Sequence, residues 1–150
     1  MDREQISSIA GFPNGDGRLL CIDDDIIILE ILKAILESSG YSVIVASSGS
    51  QGLRVLADYA IDLVILDWEM PQMNGRETAL EIKRVKPEMP IIINSGSPIP
   101  EDTFEIADAF VPKGIERQFL LRAISELISR ASHEGPTPRE KKEAKQEYFS

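Results

Sequence analysis

The 150-residue chain is 43% hydrophobic and carries a formal charge of −9 at pH 7, its single histidine counted as neutral. That length suits one domain with a sizeable core, and the acidic balance excludes a nonspecific binder of phosphate backbones, which needs clustered Lys and Arg. One cysteine, Cys21, and one histidine, His133, exclude an intrachain disulfide and a Cys/His zinc cage.

Residues 1–16, with Gly11, Pro13 and Gly15 and no hydrophobic period, read as a flexible lead. The opening lacks the apolar stretch of a secretory leader, and no apolar run reaches bilayer-spanning length, so a soluble, cytoplasmic protein without membrane contact is expected. From Arg18 onward apolar strand runs alternate with amphipathic helical segments. Leu19 to Ile22 is a strand run that ends in Asp23, Asp24 and Asp25. Ile26 to Ser38 reads as a helix with Ile28, Ile31, Leu32, Ile35 and Leu36 on its core face, capped by Asp24 or Asp25 and stopped by Gly40. Ile26, Ile27 and Leu29 are apolar too, and at 3.6 residues per turn they do not all share that face. Tyr41 to Ala46 is β-branched and reads as a strand. Gln51 to Ala60 reads as a helix with Leu53, Val55, Leu56 and Tyr59 on its apolar side.

Asp62 to Asp67 is a strand with a wholly apolar middle, the signature of a parallel strand covered on both faces. A Pro/Gly loop follows to Gly75, then a helix from Arg76 to Val85. Pro90 to Asn94 and Ala109 to Val111 read as the fourth and fifth strands. Pro98 and Pro100 oppose an early helix between them, leaving at most Glu101 to Asp108. Glu116 to Ala131 reads as the last helix, with Phe119, Leu120, Ala123, Ile124, Leu127 and Ile128 inward. Residues 17–132 thus form one domain, and residues 133–150 a charged, disordered tail in which Thr137 to Glu140 fits a capping box. Five βα repeats predict an α/β, flavodoxin-like (βα)5 three-layer sandwich with parallel strand order 2-1-3-4-5.

In that order the first and third strands are neighbours, and ligands of open α/β sheets bind beyond the carboxyl ends of the strands. Asp23, Asp24 and Asp67 therefore converge, and converging carboxylates call for a cation; Mg²⁺ typically takes one or two carboxylates and keeps several waters. Ser95 and Lys113 end the fourth and fifth strands on the same edge. A carboxylate, a cation site, a hydroxyl and an ammonium together describe a phosphoryl-acceptor site, where catalysis rests on positioning and charge neutralisation. Singly, each residue has a plainer reading: helix-capping acids, a turn serine, a solvated lysine, a core phenylalanine at Phe110, a buried inert thiol at Cys21.

The set Cys21-Ile22-Asp23-Asp24-Asp25, Leu66-Asp67-Trp68-Glu69-Met70-Pro71 with Met73-Asn74-Gly75, Ser95-Gly96 and Phe110-Val111-Pro112-Lys113 resembles the response-regulator receiver family of two-component signalling, in its chemotaxis-regulator-like form, over about Arg18 to Ser132. The resemblance implies Asp67 as phosphoacceptor. It implies Mg²⁺ on Asp24, Asp67 and the backbone carbonyl of Glu69, with Asp23 acting through water. It assigns Ser95 and Lys113 to the phosphoryl group and Phe110 to an aromatic switch coupled to Ser95. The donor would be a histidine kinase or a histidine-phosphotransfer protein docking at Ile26, Ile27 and Ile28; the output partner would be another protein, with no direct nucleic-acid contact.

Gly114 stands where the family usually has proline, and the segment from Ser95 to Lys113 is shorter than usual. Two alternatives accompany this reading: a degenerate receiver that binds partners without phosphorylation, and a haloacid-dehalogenase-like phosphatase. That phosphatase family carries its Asp-x-Asp on the first strand, whereas Asp67-Trp68-Glu69 follows the third. The lone histidine lies in the tail, which argues against serine-hydrolase chemistry.

Overall fold

A computed structural model describes residues 17–132. The expected N-terminal lead and C-terminal tail, including the capping box at Thr137, lie outside these residues. In chain order the elements are β1 (Arg18–Ile22), α1 (Ile26–Ser38), β2 (Ser42–Ala46), α2 (Gly49–Asp58), β3 (Leu63–Leu66), α3 (Gly75–Val85), β4 (Ile91–Ile93), a 3₁₀ helix (Glu101–Glu105), β5 (Ala109–Phe110) and α4 (Arg117–Ser132). The five strands form one parallel sheet in the order 2-1-3-4-5.

Strand alternation builds two cores. Leu19, Cys21, Leu63, Ile65 and Ile92 face α1 and α4, meeting Leu29, Leu32, Leu36, Leu120 and Ile124. Leu20, Ile22, Val64, Leu66, Ile91 and Ile93 face the other side, meeting Leu56 of α2 and Ala79 and Ile82 of α3. Both faces of the central strands are thus covered, which is why their sequences are apolar without alternation.

Helix faces depart from the sequence reading in three places. In α1 the buried stripe is Leu29, Leu32 and Leu36, while Ile31 is exposed and Ile28 and Ile35 only flank the core. At about 100° per residue, Leu29, Leu32 and Leu36 fall within one narrow sector, and Ile31 lies well to its side. In α4 Phe119 is exposed, because the sector fixed by Leu120, Ala123, Ile124 and Leu127 leaves it on the flank. Helix α2 starts at Gly49 and ends at Asp58; Tyr59 is its extended C-cap and is exposed.

The connection between β4 and β5 contains only the short 3₁₀ helix, as Pro98 and Pro100 require. No peptide bond among the described residues is cis, and Gly114 has φ +83°, a conformation glycine adopts freely. No helix among them is long and apolar enough to cross a membrane.

Candidate phosphoryl-acceptor site

The register of the sheet creates the site. Ile22 pairs with Leu66, so the next residues, Asp23 and Asp67, leave neighbouring strands side by side. The Asp67 N–H donates to the Ile22 carbonyl at 2.9 Å, and the Asp23 N–H to the Ala46 carbonyl at 3.1 Å. Both acids are buried, with only 2% of Asp23 and 5% of Asp67 exposed.

The three adjacent aspartates divide three tasks. Asp25 is the N-cap of α1, its carboxylate accepting from the N–H groups of Ile27 and Ile28 at 3.0 and 3.3 Å. Asp23 accepts from the Asp25 N–H at 2.9 Å. Asp24 is exposed. One carboxylate oxygen from each of Asp23, Asp24 and Asp67 lies within 4.8 Å of the others, so the predicted trio does converge.

Lys113 closes the cluster from the loop after β5. Its Nζ lies 2.8 Å from Asp23 Oδ2 and 3.2 Å from Asp67 Oδ1. Its backbone N–H donates to the Ser95 carbonyl at 2.9 Å, which fixes the lysine against the end of β4. Burial, then the Asp23 charge, push the Asp67 carboxyl up to about 6; Lys113 and the Glu69 backbone N–H pull the other way without cancelling them. Burial also works against the Lys113 ammonium, but its two carboxylate partners hold it above the ordinary lysine range. One ammonium facing two buried carboxylates, with a third at the mouth, leaves the cluster short of positive charge.

The loop after Asp67 is held by backbone contacts. The Gly75 N–H donates to the Trp68 carbonyl at 3.0 Å. A Cβ on Gly75 would come within 2.5 Å of the Asp67 carbonyl oxygen and of the Trp68 Cα, so glycine is required by close approach. Asn74 caps α3 by accepting from the Glu77 N–H at 2.9 Å. Ser95 is buried and its Oγ accepts from the Ser97 N–H at 3.2 Å. Phe110 is half-buried against the core beneath α2 and α3. Ile26 and Ile27 are 64% and 68% exposed at the start of α1, whereas Ile28 packs against the core. Burial pushes the Cys21 thiol up to about 12, in keeping with an inert core residue.

Three features were not anticipated from the sequence. Asn94 Nδ2 donates to the Val111 carbonyl at 2.8 Å and ties β4 to the residue after β5. Asp108 accepts from Lys83 Nζ and the Ile91 N–H, both at 2.9 Å. Arg76 pairs with Asp102 at 3.2 Å. Each joins residues 17 or more apart, beyond the reach of local patterning. Arg76 and the loop from Trp68 to Pro71 form, with Asn74, Pro98 and Pro100, a cleft of about 700 Å³ along the loop that follows Asp67.

A parallel 2-1-3-4-5 sheet with a buried acid–lysine cluster at its carboxyl edge is the architecture of the receiver class of protein. The Response regulator receiver domain profile matches residues 19–127, and the chain belongs to that family. The transcriptional regulatory protein GlrR of Escherichia coli K12 is 38% identical over 118 residues, 76% of this chain and 27% of GlrR. This chain therefore spans about a quarter of that regulator's length. A response regulator receiver domain protein from Clostridium thermocellum superposes with TM-score 0.71 at 34% identity, over 77% of this chain and 97% of that one. The response regulator TrrA of Thermotoga maritima, solved in complex with Mg²⁺–BeF, superposes with TM-score 0.71 at 33% identity, over 74% of this chain and 98% of TrrA.

Proposed function

We propose that Asp67 accepts a phosphoryl group from a phosphohistidine of a histidine kinase or histidine-phosphotransfer protein, and that the modification changes affinity for a downstream protein. The observation that carries this reading is the pairing of buried Asp67 with Lys113 at 3.2 Å beside two further carboxylates. In the transfer an Asp67 carboxylate oxygen forms the new P–O bond as the donor's P–N bond breaks and the imidazole leaves. The Lys113 ammonium offsets charge on the phosphoryl oxygens, and the Ser95 hydroxyl donates a hydrogen bond to one of them.

The donor set fits Mg²⁺: oxygen ligands alone, clustered within 4.8 Å, with more negative charge than Lys113 balances. Asp24, Asp67 and the Glu69 carbonyl would hold the ion, with Asp23 reaching it through water. When bound, the ion supplies further neutralisation of the phosphoryl oxygens. The degenerate-receiver reading is disfavoured because acids and lysine are all present and in contact. The phosphatase reading is disfavoured because Asp67 follows β3 of a receiver sheet.

The exposed pair Ile26 and Ile27 beside Asp24 is the apolar surface on which a helical donor would dock. Phe110, at the end of β5 next to the Lys113 loop, would follow Ser95 when the phosphoryl group draws the hydroxyl. Trp68, the sole tryptophan, adjoins Asp67 and reports on the site. Its fluorescence should change saturably with Mg²⁺ in the wild type and not in Asp24→Asn or Asp67→Asn. Equal responses in all three proteins would refute the metal-assisted site.

A further inference from the structure

The connection from β4 to β5 borders, as a strap, the cleft along the loop that follows Asp67. It is anchored at one end where Ser95 accepts from the Lys113 N–H. At the other end Asp108 is fixed by Lys83 and the Ile91 N–H. Between these anchors Pro98 and Pro100 form one wall of the cleft, and the opposite wall runs from Trp68 to Arg76. Among the described ion pairs, Arg76 Nη1 to Asp102 Oδ2, at 3.2 Å, joins the two walls.

Few hydrogen bonds lie within the strap itself, such as Thr103 N–H to the Pro100 carbonyl and Ala107 N–H to the Thr103 carbonyl. Its only regular element is a five-residue 3₁₀ helix, a geometry with poor hydrogen bonds. The Thr103 hydroxyl, next to Asp102, is buried with no hydrogen-bond partner among the described residues. An unmet buried hydroxyl disfavours the position that buries it, and contacts outside the strap offset that cost. Core packing of Ile99, Ile106 and Ala107 and the Arg76–Asp102 pair supply those contacts.

We propose that the Arg76–Asp102 pair is a latch that holds the strap in the unmodified position and thereby opposes loading of Asp67. The proposal rests on the phosphoacceptor reading, because it takes Ser95, at the root of the strap, to move toward a phosphoryl group. Releasing the latch frees the strap to follow Ser95, so the loaded state gains relative to the unmodified one. The shift for a partly exposed pair is about two- to five-fold.

The test uses beryllofluoride with Mg²⁺ as the phosphoryl mimic and Trp68 fluorescence as the signal. Arg76→Gln should bind beryllofluoride about two- to five-fold more tightly than wild type. Simple electrostatics predicts the opposite, since a cation is removed near an anion's site, so weaker or unchanged binding overturns the latch. The exchanged pair Arg76→Asp with Asp102→Arg should return the dissociation constant to the wild-type value; failure to return it also overturns the proposal.

Amide exchange across residues 96–108, measured without beryllofluoride, separates the two claims. It should quicken in Arg76→Gln and slow again in the exchanged pair, and unchanged exchange sinks the latch. Beryllofluoride binding by wild type that survives Asp67→Asn sinks the phosphoacceptor reading instead.

Discussion

Asp67→Asn should make the Mg²⁺-free protein more stable at neutral pH, although it removes a partner of Lys113. The Asp67 carboxyl sits at about 6 rather than 3.8, chiefly through burial and then the Asp23 charge. At about 1.4 kcal/mol per pH unit, that displacement corresponds to roughly 3 kcal/mol of unfavourable charge in the folded state. Solvent at the mouth of the site reduces it by about half, to roughly 1.5 kcal/mol. Because the folded-state value lies above the unfolded one, the stability linked to this group is fully present below about 3.8 and is lost as pH rises through about 6. Asparagine has no such dependence, and Lys113 keeps Asp23 at 2.8 Å. In EDTA at pH 7–8 the variant should melt about 4–8 °C higher than wild type, and the gap should close as pH falls toward 4. Saturating Mg²⁺ should also narrow the gap by stabilising wild type. A variant that melts lower than wild type in EDTA at neutral pH, or a gap independent of pH, would refute the reasoning.

Four further substitutions probe other parts of the account. Gly75→Ala forces a Cβ against the Asp67 and Trp68 backbone, so it should cost about 1–3 kcal/mol in urea unfolding and abolish the Mg²⁺ response of Trp68; wild-type behaviour in both would show that the loop has slack. Leu29→Ala should cost about 2–5 kcal/mol, whereas Ile31→Ala should stay within about 0.5 kcal/mol; the reverse order would put the wrong face of α1 in the core. Ile27→Ser should slow transfer from the cognate protein donor and leave labelling by a small phosphodonor intact. Equal loss with both donors would make Ile27 a fold residue, and no change with either would remove it from the interface.

The strand order and the convergence of Asp23, Asp24, Asp67 and Lys113 were legible because each rests on a short apolar run ending at one sheet edge. Apolar content served less well for helix faces. In α1 nine of the first eleven residues from Ile26 to Leu36 are apolar, so periodicity alone could not separate Leu29 from Ile31. The sheet contact decides that, and it selects the sector of Leu29, Leu32 and Leu36. Phe119 was misplaced for the same reason in α4. The choice between Asp24 and Asp25 as cap also depended on where the first helical turn closes. The Arg76–Asp102 and Lys83–Asp108 pairs left no local trace, since each links residues 25 or 26 positions apart. The prolines at 98 and 100, in contrast, announced the shortened connection directly, because proline acts through its own backbone.

The central claim is tested most directly by intact-mass spectrometry after incubation with a small acyl-phosphate donor. Wild-type protein should gain the mass of one phosphoryl group in Mg²⁺ and not in EDTA, the adduct should be lost in base, and Asp67→Asn should gain nothing. Labelling of Asp67→Asn to the wild-type extent would contradict the account.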